Sequence, residues 1–311
     1  MKRDLLLISD ATPRMMEQFS KNFTVHRMDA LDAKASSIEA VATDGHLGVK
    51  PEILDKLPNL KVISCYGVGY DAIDVQACAK RGIPVAHTPG VLSANVANTA
   101  IMLMLSCTHK YREQEDYVRD GRWEKEGNFP LTRSLDGKKV GILGLGRIGE
   151  TLAQKLQAFD CPIVYHSRNK KSGVPYEYHS DLTEMAAVVD YLVVITPGGP
   201  STSKLVNQSV IDALGPEGTL INVSRGSVID EEAMIASLKD GRLGAAGLDV
   251  FATEPSVPES LRSLPNVAMT PHIGSATVET RQAMGDLVAG NLDAFFDNGK
   301  VKTSVPETDH L

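Results

Sequence analysis

KVGILGLGRIG, residues 139–149, is the stretch on which the reading of the fold turns. Its apolar run at 140–143 predicts a short strand buried on both faces. Gly144, Gly146 and Gly149 follow in G-x-G-x-x-G spacing, and helical periodicity takes over at 150–158. Each glycine answers a different need: Gly144 the tight turn, Gly146 the approach of a pyrophosphate to the backbone, Gly149 close packing of helix on strand. The unpaired amides and positive end of the new helix would then face phosphate. With a strand before it and a helix after it, the turn predicts a bound dinucleotide.

Composition sets the frame. A chain of 311 residues has room for two domains of about 100–200 residues each. Apolar content of 42% and charged content of 23% are those of an ordinary globular protein. A net charge of -7 offers no basic surface to a polyanion, so nucleic acid is not expected as a partner. No run approaches the roughly 18 apolar residues of a membrane span. The start MKRDLLLISDATP is too poor in apolar residues for a signal peptide, and a cytoplasmic location is expected. Cys65, Cys78, Cys107 and Cys161 are scattered, with no C-x-x-C pair and no histidine in ligand spacing. They read as buried, reduced thiols, and no metal site is expected.

Before the glycine stretch, strands are expected at 5–9, 40–43, 61–65 and 83–86, with helices at 13–19, 51–57 and 74–80. This βαβ alternation predicts a parallel-sheet domain of its own. The strand at 61–65 runs into a second glycine turn, YGVGYD at 66–71. Lying at the carboxyl end of a parallel strand, that turn is either a cradle of amides for a small anion or a bend required by topology. Residues 95–109 predict a helix apolar nearly all round, hence buried between domains or against a second subunit. Residues 119–135 read as a loop. Strands follow near 140, 163, 192, 220, 246 and 267, and a long helix at 277–297 carries the chain away from the second sheet. The expected architecture is α/β: two doubly wound parallel-sheet domains with a cleft between them.

The strand at 162–165 leads into HSRNKK, 166–171, where an NAD site carries an acid for the ribose 2′-hydroxyl. No Asp or Glu occurs between 162 and 175. A hydroxyl and three cations suit a 2′-phosphate instead, so NADPH is expected over NADH, the weaker alternative.

Three strand ends then carry reactive side chains: Ser224-Arg225-Gly226, the FATEP of 251–255 with Glu254, and PHIGS at 271–275 with His272. Singly, Arg225 reads as a surface charge, Glu254 as a turn residue and His272 as a core histidine.

Together they carry a resemblance. GILGLGRIG (141–149), INVSRGSVIDEEAMIASLKDGRLGAAGLDVFATEP (221–255) and TPHIGSAT (270–277) resemble the D-isomer-specific 2-hydroxyacid dehydrogenases. YHSRN (165–169) and the run 127–149 are similar to the NADPH-dependent glyoxylate/hydroxypyruvate reductases of that family. The resemblance implies a flavodoxin-like substrate domain, 1–98 with 286–311, and a Rossmann nucleotide domain, 99–285, inserted in it. It implies reduction of small 2-keto acids to D-2-hydroxy acids by a homodimer. Arg225 would hold the carboxylate and keto oxygen, and His272, a side chain that titrates near neutrality, would give the alkoxide its proton. Glu254, ionised beside it, would stabilise the imidazolium. Amides at Val68 and Gly69 would take the other side of the carboxylate, which favours the anion reading of the second turn. The nucleotide set would be Gly144, Gly146, Arg147, Ile148, Gly149, Ser167, Arg168, Thr196, Pro197, Thr202, Val223, Ser224, Asp249 and Gly274. Asn95 and Asn98 stand where many relatives carry acids. A broader 2-ketoacid reductase or an NAD-dependent 3-phosphoglycerate dehydrogenase is the alternative. More remote is an NAD(P)-sensing regulatory protein without enzyme activity, against which the absence of disordered tails argues.

Overall fold

The computed structural model describes residues 2–311, and the chain divides into two compact units. One comprises the residues up to Leu92 together with Thr277–Leu311; the other is Ser93–Ala276. The crossings fall just before the helices Ser93–His109 and Val278–Asn298, so each helix belongs whole to one unit. Crossings at 98 and 285 would have cut both.

The first unit is built on five strands: β1 (Arg3–Leu7), β2 (Phe23–His26), β3 (Ile38–Asp44), β4 (Val62–Tyr66) and β5 (Val85–Ala86). They pair in the order β2-β1-β3-β4-β5, all parallel, the flavodoxin-like doubly wound order. The helix Val278–Asn298 packs on β4 and on the helix Pro13–Asn22. Its Val288, Ala289 and Leu292 close a core with Leu5, Leu7, Phe19 and Ala40. Thr277 caps its first turn through Thr280 N–H, and Gly299 ends it in the left-handed region.

The second unit has seven parallel strands: β6 (Val140–Leu143), β7 (Ile163–His166), β8 (Glu177–Tyr178), β9 (Tyr191–Val194), β10 (Thr219–Asn222), β11 (Ala245–Leu248) and β12 (Val267–Met269). Their order is β12-β11-β10-β9-β6-β7-β8, the Rossmann arrangement with its reversal of direction beside β6. β6, β9 and β10 are buried at every residue, as strands covered on both faces must be. The helix Ser93–His109 packs on β10, β11, β12 and the helix Arg147–Leu156, so burial of Ala97, Ala100, Leu103 and Met104 is explained inside its own unit.

Some elements depart from expectation. β2 and β8 are additional strands, and pairing of Arg3 with Phe23 starts β1 at Arg3 rather than residue 5. The expected loop at 119–135 contains a helix, Arg122–Glu126, after the helix Tyr111–Arg119. Gly121 and Gly127, both at positive φ, bracket it, and the segment folds back on Tyr117. Tyr117 meets Phe129 edge to face, lies under the Arg122 guanidinium and donates its hydroxyl proton to Gly127 O. Among the described residues, no helix is long and apolar enough to cross a membrane.

Candidate active site

The residues ending β12, β11, β10, β9, β6 and β7 stand in one row as register partners: Met269, Leu248, Asn222, Val194, Leu143 and His166. Neighbours in such a row are about 4.8 Å apart. The loops that follow them therefore emerge along one edge of the sheet, the carboxyl edge at which open α/β folds bind ligands.

The glycine turn leaves the row at Leu143. Gly144 has φ +102°, and a Cβ there would lie 2.8 Å from Thr196 N. A Cβ on Gly149 would lie 2.4 Å from Gly144 O, so strand and helix are as close as backbone allows. Gly146 is the opposite case: exposed, with nothing within 4 Å of a built Cβ. It caps the helix Arg147–Leu156 with no side-chain bond, leaving the first amides without an intrahelical acceptor. Two tight glycines beside one open one, at a helix N-terminus, fit a pyrophosphate.

One strand along, the basic loop after β7 has a defined shape. Lys171 N donates to the Tyr165 hydroxyl at 2.9 Å, the Tyr178 hydroxyl donates to Ser167 O at 3.2 Å, and Ser167 Oγ donates to Asn169 O at 2.7 Å. Lys171 Nζ is bound to Glu150 at 2.6 Å, which takes one of the three expected cations out of play. Arg168 and Lys170 are exposed and have no ion pair among the described residues. Two cations and no acid still fit a 2′-phosphate.

In the other direction, adjacent strands supply the reactive residues. After β10, Asn222, 1% exposed, accepts from Ser224 N and Ser224 Oγ through Oδ1 and donates to Arg225 O through Nδ2. Arg225 Nη1 donates to Ser224 O at 2.8 Å. A Cβ on Gly226 would fall 1.9 Å from the Phe251 carbonyl carbon, so the loop bearing Arg225 lies directly against the one bearing Glu254. Asn222 escapes sequence reasoning because its work consists of local bonds to Ser224 and Arg225, two and three residues on, which no residue pattern announces.

Glu254 bridges two segments. Its Oε1 accepts from Phe251 N at 3.0 Å and its Oε2 meets His272 Nδ1 at 2.7 Å. Both side chains are partly exposed, His272 at 29% and Glu254 at 22%. His272 lies in the left-handed region, φ +52°, a conformation that costs a non-glycine residue about 1–2 kcal/mol. Asp249 holds it there. Its carbonyl accepts from His272 N, while its buried carboxylate accepts from Thr270 Oγ1 at 2.6 Å, Ile273 N at 2.7 Å and Gly274 N at 2.8 Å. A Cβ on Gly274 would stand 3.0 Å from that carboxylate. Asn95 Nδ2 donates to Gly274 O at 3.0 Å, a bond that an ionised acid could not make.

Thr196 and Pro197 follow β9, and Thr202 folds their loop by donating to Pro197 O at 2.7 Å. Val223 and Ser224 are buried at the end of β10. Val68 and Gly69 belong to the first unit, in the turn after β4, where the Val68 carbonyl accepts from His87 Nδ1 at 3.0 Å.

Residues 101–274 match the family model described as "D-isomer specific 2-hydroxyacid dehydrogenase, NAD binding domain". The chain is 44% identical over 308 residues to a hydroxyphenylpyruvate reductase of Plectranthus scutellarioides, covering 97% of this chain and 98% of the other. It is 46% identical over 275 residues to a glyoxylate/hydroxypyruvate reductase of Arabidopsis thaliana, covering 88% of each. A solved NADPH-dependent glyoxylate/hydroxypyruvate reductase of Sinorhizobium meliloti, in complex with NADP and malonate, superposes with a TM-score of 0.94 at 44% identity. The match covers 99% of this chain and 98% of that one.

Proposed function

The chain belongs to the D-isomer-specific 2-hydroxyacid dehydrogenase family, and from this premise we propose that it reduces small 2-keto acids, glyoxylate and hydroxypyruvate foremost, to D-2-hydroxy acids, with NADPH supplying the hydride. The observation that carries the reading is the 2.7 Å bond from His272 Nδ1 to Glu254. A carboxylate bonded to Nδ1 fixes the orientation of the ring, so Nε2 is left to deliver the proton to the nascent alkoxide. Arg225 supplies fixed positive charge to the keto oxygen and carboxylate, and the amides of Val68 and Gly69 receive the carboxylate. Asp249 and Gly274 act by positioning His272, and Asn222 by shaping the Arg225 turn.

Gly144, Gly146, Arg147, Ile148 and Gly149 hold the pyrophosphate, and Arg168 with Lys170 and Ser167 takes the 2′-phosphate. Thr196, Pro197, Thr202, Val223 and Ser224 lie along the same sheet edge and line the path to the nicotinamide. The 44% identity to a hydroxyphenylpyruvate reductase supports a substrate range that extends to bulkier 2-keto acids. A homodimer is supported by the clustering of exposed apolar side chains: Met102, Tyr111, Val118, Trp123 and a fully exposed Leu131 all fall between 102 and 131. Four cysteines without a disulfide suit a reducing compartment, the cytoplasm.

The test is loss of NADPH absorbance on addition of glyoxylate, hydroxypyruvate and a panel of larger 2-keto acids, repeated with NADH. Absence of turnover with the whole panel, or a higher kcat/KM with NADH, overturns the substrate or the cofactor assignment respectively.

A further inference from the structure

The turn after β4 is held by more polar structure than a bend requires. Gly67 N donates to Thr88 Oγ1 at 3.0 Å and Thr88 N returns a bond to Gly67 O at 2.8 Å. The next residue along, Val68, gives its carbonyl to His87 Nδ1 at 3.0 Å. Since a carbonyl only accepts, Nδ1 carries the proton. His87 and Thr88 are both buried, and His87 is itself fastened from behind. Its N–H donates to Thr303 O, and its carbonyl accepts from Thr303 Oγ1 at 2.6 Å. Asn291, fully buried on the helix Val278–Asn298, binds Thr303 N and Lys302 N through Oδ1 and Thr303 Oγ1 through Nδ2. The amides of Val68 and Gly69 themselves have no acceptor among the described residues.

The carbonyl of Val68 and the N–H of Gly69 are two ends of one peptide group. A bond to the carbonyl fixes the plane of that group, which aims the N–H. It also draws electron density toward oxygen and makes the N–H a stronger donor, the cooperative effect of chained hydrogen bonds. We propose that His87 is a positioning residue for the substrate: through Val68 O it orients and polarises the peptide whose Gly69 N–H receives the keto acid's carboxylate. The inference rests on the reading that this turn binds that carboxylate.

Two substitutions separate the donor from the ring. His87→Phe keeps a flat ring against Tyr70, which His87 meets edge to face at 5.4 Å, but removes the donor. His87→Asn discards the ring and keeps an N–H where Nδ1 stands. Steady-state kinetics with NADPH and glyoxylate or hydroxypyruvate should show KM for the keto acid raised about five- to tenfold in His87→Phe. KM for NADPH should stay at the wild-type value, and His87→Asn should recover most of the loss. Thermal melts of both variants show whether either has lost its fold, and a fold lost in one leaves the other to decide. Equal keto-acid KM in wild type and His87→Phe, or a larger defect in His87→Asn than in His87→Phe, overturns the inference while the substrate reading stands. A wild-type protein that turns over no 2-keto acid overturns both.

Discussion

The chain has two glycine turns at carboxyl ends of parallel strands, after β6 and after β4, and they are built on different principles. The turn at 144–149 is steric. A Cβ at Gly144 or Gly149 would collide with backbone, at 2.8 and 2.4 Å, and a ten-residue helix begins at once behind it. The turn at 67–69 is conformational. Gly67 has φ +147°, but a Cβ there would meet nothing closer than 3.6 Å, and the next helix starts only at Val75. Close packing and a helix end serve a diphosphate, which needs many amides and a field. On the proposed function, a few amides strapped by Thr88 and His87 would serve one carboxylate. A glycine pattern alone does not distinguish the two; what stands behind the glycines does.

The largest effect should come from the residue that neither turn supplies. His272→Ala should lower kcat by roughly 10²–10⁴, the usual worth of a general acid, with both KM values nearly intact. Unchanged kcat would remove the proton donor from the scheme. Next, Gly149→Ala forces a methyl against Gly144 O, and overpacking of this kind costs about 1–3 kcal/mol. It should lower Tm and weaken NADPH binding, measured by fluorescence titration, more than it changes keto-acid KM.

Arg168→Ala should reduce the NADPH-to-NADH ratio of kcat/KM about tenfold, the low end for a charge-assisted bond because the site is exposed. An unchanged ratio would leave Lys170 as the cation that matters. Gly67→Ala should act on the other ligand alone, raising keto-acid KM a few-fold through backbone strain while NADPH affinity holds. If Gly67→Ala and Gly149→Ala move the same constant, the division between the turns is wrong.

The smallest effect is an expected silence. Burial pushes the Cys78 thiol up to about 11 and that of Cys107 up to about 12, and raises Cys161 as well. For these groups the folded state favours the neutral thiol. The associated stability is therefore complete below pH 9, the ordinary thiol value, and falls as pH rises beyond it. Iodoacetamide at about pH 8 should modify none of the three in the native protein, and mass spectrometry would reveal any that react.

Most of the fold was legible because the central strands are apolar runs with no competing period. β2 and β8 were not. They are short edge strands carrying Thr24, His26 and Glu177, where one face is wet and hydrophobic patterning fades. The helix Arg122–Glu126 hid between two glycines, its anchor Tyr117 lying outside the segment. At the site, Arg225, Glu254 and His272 could be read because strand ends fix where they emerge. Residues that act by bonding another loop's backbone could not: the Asp249 carboxylate, Asn95 and His87 have partners that only the folded chain brings near. The same blindness overcounted the basic loop, since the pairing of Lys171 with Glu150 joins two elements 21 residues apart.

The return of Thr277–Leu311 to the first unit has a consequence for the order of synthesis. The nucleotide unit is one unbroken stretch, complete once Ala276 has emerged. The sheet β1–β5 is made first, yet its core needs Val288, Ala289 and Leu292, and its last strand is bridged by Ser304. At about 5–20 residues per second it waits roughly 10–40 s for them, with one apolar face uncovered. Of the two units, the one whose strands are made before the other is thus the one sealed after it.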